Sequence, residues 1–124
     1  EGHRTALLSA EFSPSGDLII TASYDSTSRI FCCASGQCQT ILRGHGGTVL
    51  RASFAPDNCR ALTASGDCQA RIWDVASGIC LLQLAGHTDL VSGARFSPEG
   101  DRVVTSSHDR TAKVWCCESG RCLK

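Results

Sequence analysis

Residues 44–74 read GHGGTVLRASFAPDNCRALTASGDCQARIWD. No helical period runs through them. Short β-branched and aromatic stretches alternate with Gly, Pro, Asn and Asp, which is the chemistry of strands and turns. Val49, Ala52 and Phe54 mark a first strand, and Pro56-Asp57-Asn58 turns it. A second strand runs into a tight turn at Asp67, and Ala70-Arg71-Ile72-Trp73 forms a third. Ser77-Gly78 then feeds a fourth, from Cys80 to Leu84.

The same unit occurs three times. Gly2-His3, Gly44-His45 and Gly86-His87 stand 42 residues apart. Phe12-Ser13-Pro14, Phe54-Ala55-Pro56 and Phe96-Ser97-Pro98 keep that step, as do Asp25, Asp67 and Asp109. Phe31, Trp73 and Trp115 follow, and so do Cys38, Cys80 and Cys122. Leu18-Ile19-Ile20-Thr21 and Arg102-Val103-Val104-Thr105 are the second strands of the outer units. An unbroken register of this length implies a supersecondary unit that buries its apolar faces against its own copies. The expected fold is all-β, with three four-stranded antiparallel sheets from units 1–43, 44–85 and 86–124, the last with a truncated fourth strand.

Composition narrows the function classes. At 124 residues the chain suits one small domain. Twelve Lys+Arg offset twelve Asp+Glu, leaving no electrostatic footprint for nucleic acid or an anionic membrane. The 42% hydrophobic and 19% charged fractions exclude a disordered tail. No apolar run approaches the ~20 residues a membrane helix needs. Nine cysteines, an odd number, cannot all pair within the chain, so free thiols in an intracellular, cytoplasmic setting are expected. The chain lacks Met and opens on Glu1, which reads as a piece of a longer protein or a processed end.

The Gly-His pair, the first strand ending at Phe, the Asp turn and the Ile72-Trp73-Asp74 strand end resemble the WD-repeat family of β-propellers. The resemblance covers essentially the whole chain. It implies one blade per unit, with blades packed face to face around a channel. Three blades leave an incomplete ring, since propellers carry four to eight. The apolar end faces then need covering by further blades of a parent chain, the favoured expectation, or by a second copy. Two features depart from the family. Cys32 and Cys116 replace its Asp, and Phe31 lacks the indole N–H of its Trp.

Each unit carries the cast of a nucleophilic triad: His3, Ser23 and Asp25; His45, Ser65 and Asp67; His87, Ser107 and Asp109. A catalytic centre is needed once, whereas these residues recur with the turns. The resemblance assigns them instead to a buried hydrogen-bond chain running from Asp through His and a hydroxyl to Trp73 or Trp115. Thr21, Thr63 and Thr105 share the strand face with the serines, so the contacting hydroxyl stays open. Cys33 with Cys38, and Cys117 with Cys122, bracket four-residue turns and could face each other across a hairpin. Unit two places Val75 where Cys33 and Cys117 stand, so the position asks for a small apolar group. No metal, cofactor or catalytic residue is expected. His108, outside the periodic set, reads as a solvated turn residue.

The family's binding positions, carried over, are Ala6, Leu8 and Tyr24; Thr48, Leu50 and Gly66; Leu90, Ser92 and His108. The implied function is a non-catalytic scaffold whose rim takes protein or peptide partners, with no nucleic-acid or membrane role. The alternative is a recognition or sensor region of a larger multidomain enzyme or signalling protein with its effector domain elsewhere.

Overall fold

The computed structural model describes residues 6–124. Among these residues there are eleven strands and no helix. The first sheet has the order β1 (Leu7–Phe12), β2 (Leu18–Ser23), β3 (Ser28–Cys32), β4 (Cys38–Leu42). The second repeats it as β5 (Val49–Phe54), β6 (Arg60–Ser65), β7 (Gln69–Asp74), β8 (Cys80–Ala85). The third has β9 (Val91–Phe96), β10 (Arg102–Ser107) and β11 (Ala112–Cys116). All pairings are antiparallel between sequence neighbours. The expected fourth strand of the last sheet is reduced to a single bridge, Trp115 to Cys122, because only residues 121–124 follow the Gly120 turn.

Local chemistry accounts for the turns. Gly16 and Gly100 take left-handed φ values of 82° and 79° after their prolines, and Asn58 takes 62° at the same point in the second sheet. Asn is among the few side chains that enter this region readily, so the substitution keeps the turn. At the next turn, the Asp67 carboxylate accepts the Gln69 amide at 3.0 Å, and Asp109 accepts that of Thr111 at 2.9 Å.

Alternation of side chains gives each sheet two apolar faces. One face of the first sheet, with Ile20, Ala22, Ile30 and Leu42, meets Val49, Ala52, Phe54, Ala61 and Trp73 of the second. The second presents Leu62, Ala70, Ile72 and Leu84 to Val103 and Trp115 of the third. We call the first kind the trailing face and the second kind, which carries the Trp, the leading face. Burying each large aliphatic side chain contributes about 1.5–3 kcal/mol. Strands β1, β5 and β9 lie side by side along the stack, as the innermost strands of propeller blades do.

Polar straps tie the sheets as well. The Ser15 amide donates to Asn58 Oδ1 at 3.2 Å, and Thr40 Oγ1 to the Val75 carbonyl at 3.1 Å. Arg60 reaches from the second sheet to the Gly100 carbonyl at 2.8 Å, while its Nε donates to Asp57 and its guanidinium lies 5.1 Å over the Phe96 ring. Sequence inspection passed over Arg60. Its signal is a charged residue at the start of a second strand, where the first unit has Leu18.

Candidate functional site

The recurring polar residues form a continuous chain in the second and third sheets. Trp73 Nε1 can only donate, and it donates to Thr63 Oγ1 at 2.8 Å. The Thr63 hydroxyl therefore gives its own proton to His45 Nε2, 2.6 Å away. That fixes the tautomer: His45 Nδ1–H donates to Asp67 Oδ2 at 2.9 Å. The third sheet repeats the chain, from Trp115 to Thr105 at 2.9 Å, Thr105 to His87 at 2.7 Å and His87 to Asp109 at 2.8 Å. His3 lies outside the described residues.

The hydroxyl against His is thus the threonine. The serines do a different job. Ser65 Oγ accepts the Asp67 amide at 3.1 Å and donates to the Gly47 carbonyl at 3.2 Å. Ser107 accepts the Asp109 amide and donates to the Leu90 carbonyl at 2.7 Å. Ser23 accepts the Asp25 amide and donates to the Ala6 carbonyl. Each serine straps the loop before the first strand of a sheet to the Asp turn.

The Gly before His is held by backbone conformation at Gly44 and by a close aromatic contact at Gly86. Gly44 has φ 141°, a conformation side chains rarely adopt, and a Cβ there would also displace the Arg71 guanidinium, which lies 5.9 Å over the Trp73 ring. At Gly86 a Cβ would press on Trp115 at 3.2 Å.

Burial and hydrogen bonding pull against each other along the chain. Removal from water lowers the His45 pKa, and the Asp67 carboxylate only partly restores it. Burial alone would raise Asp67, yet hydrogen bonds from His45 and the Gly46 amide hold its carboxyl below the usual range. Asp109 is likewise held low, first by the Thr111 hydroxyl and then, against burial, by His87. The sign of the pH dependence follows. With the folded His45 pKa below its unfolded value of about 6.5, the unfolded chain takes up the extra proton. Stability should therefore fall as pH drops below about 6.5, by no more than about 1.4 kcal/mol per pH unit for one proton. The Asp67 contribution persists until pH passes below about 3.9. Thermal melts from pH 8 to 5 should show the midpoint declining at the acid end, with a shallower decline in His45→Gln. A midpoint flat across that range contradicts this assignment.

The third strand ends on Asp74 in the second sheet and on Cys32 and Cys116 in the other two. Asp74 Oδ2 accepts the Ser77 hydroxyl at 2.7 Å and its amide at 2.9 Å. At Cys32 the Ser35 amide and then its hydroxyl lower the thiol pKa, and at Cys116 the Ser119 hydroxyl and then its amide do so. All nine cysteines are free thiols. The register puts Cys38 opposite Phe31 and Cys122 opposite Trp115, so neither faces the cysteine across its turn. Cys33 and Cys117 instead donate their amides back to the Asp17 and Asp101 carbonyls. Among the described residues no group of three or more His, Cys, Asp or Glu side chains is placed to hold a metal ion.

The nine positions expected to take a partner lie on the loop before each first strand, at the start of that strand, and just before the Asp turn. The Tyr24 amide donates to the Ala6 carbonyl at 3.2 Å, Gly66 to Thr48 at 2.8 Å and His108 to Leu90 at 3.0 Å. One backbone bond thus repeats in every blade and joins the loop before the first strand to the residue before the Asp. Tyr24 is 55% exposed and Leu8 37%. Ala6, Gly66 and His108 are exposed, whereas Thr48, Leu50, Leu90 and Ser92 are half-buried. The leucines therefore divide: Leu8 faces solvent, and Leu50 and Leu90 are partly covered.

Sheets of this order, stacked face to face and internally bonded from Trp to Asp, define a segment of a β-propeller. A family model described as WD domain, G-beta repeat matches residues 1–32, 36–74 and 78–116, and the chain belongs to that family. No curated protein matches it. WD repeats generally mediate protein–protein interaction and are typically non-catalytic. No helix among the described residues is long and apolar enough to cross a membrane.

Proposed function

We propose that this chain is a non-catalytic interaction scaffold whose rim, led by Tyr24 and Leu8, receives a protein or peptide. The observation that carries this reading is Tyr24 itself. A large ring stands more than half exposed on a backbone pinned by Ala6 and by the Ser23 strap. A rigid base beneath an exposed aromatic lowers the ordering cost of binding, and Tyr combines apolar area with a hydroxyl that can reach a partner. The neighbouring blades offer Gly66 and His108 at the same point, so blade one holds the anchor and the others shape its surroundings.

The test is selection of a displayed peptide library on the wild-type chain, followed by titration of the recovered peptides. Tyr24→Ala should weaken their binding by about 2 kcal/mol while leaving the melting midpoint unchanged. Equal affinity for both proteins would remove Tyr24 from the site.

A further inference from the structure

We draw no further inference here: the strongest candidate, the apolar patch on the outer edge of the second sheet, where Ile79 just before β8 and Leu81 within it are 62% and 49% exposed, carries nothing because nothing in the structure shows what covers it.

Discussion

Leu62→Ala should lower the unfolding free energy by about 2–5 kcal/mol, a large share of what a domain of this size commands. Leu62 is 1% exposed and packs between blades two and three with Ile72, Leu84, Val103 and Trp115. Truncation removes its transfer free energy and leaves a cavity between two sheets. Each sheet is already fixed by its own ladder, so neither can easily collapse into the gap. Urea titration should show a lower midpoint with an unchanged slope. Leu81→Ala is the companion measurement. Leu81 lies on the outer strand β8 and is 49% exposed, so its loss should cost within about 0.5 kcal/mol. Similar small losses at both sites would mean that blade-on-blade packing does not hold the fold.

That interior arrangement was legible because every face is read three times. One unit alone would leave the second strand ambiguous. Three copies in one register show which positions stay apolar and which are turns, so strand order and blade count follow. Position-specific geometry was less legible. Thr63 and Ser65 lie two residues apart on one strand face, and composition gives no reason to send one to His45 and the other to Gly47. The distinction comes from β7, whose register sets Arg71 across from Thr63 and leaves Trp73 within reach of its hydroxyl. The cysteine pairs misled for a similar reason. Their four-residue spacing suits a facing pair, but the register shift between Ile30 and Phe31 carries Cys38 opposite the ring. Arg60 was hidden because, beyond nearby Asp57, the groups it ties are the Gly100 carbonyl and the Phe96 ring of the next blade, roughly forty positions downstream.

Thr63→Val should cost about 2–5 kcal/mol although it changes almost no volume. The side chain is fully buried, so the loss isolates the hydroxyl. Its removal leaves two orphans in the interior: Trp73 Nε1–H, which has lost its acceptor, and His45 Nε2, which has lost its donor. Trp73 is 1% exposed and His45 7%, so water cannot readily replace the partner, and each buried orphan costs about 1–3 kcal/mol. Thr63→Ser keeps the oxygen and should recover most of the loss, which a purely steric explanation would not allow. The effect should also travel. His45 holds the Asp67 oxygen that receives the Gly46 amide, and the adjoining loop carries the Thr48 carbonyl bonded to Gly66. Loosening His45 should therefore speed amide exchange at Gly46 and Gly66, at the edge where the rim residues stand. If Thr63→Val lowers stability but leaves exchange at those two amides unchanged relative to the rest of the blade, the buried chain supports the fold without shaping the rim. If both change, the recurring histidine and aspartate are what connect a buried tryptophan to the proposed binding edge.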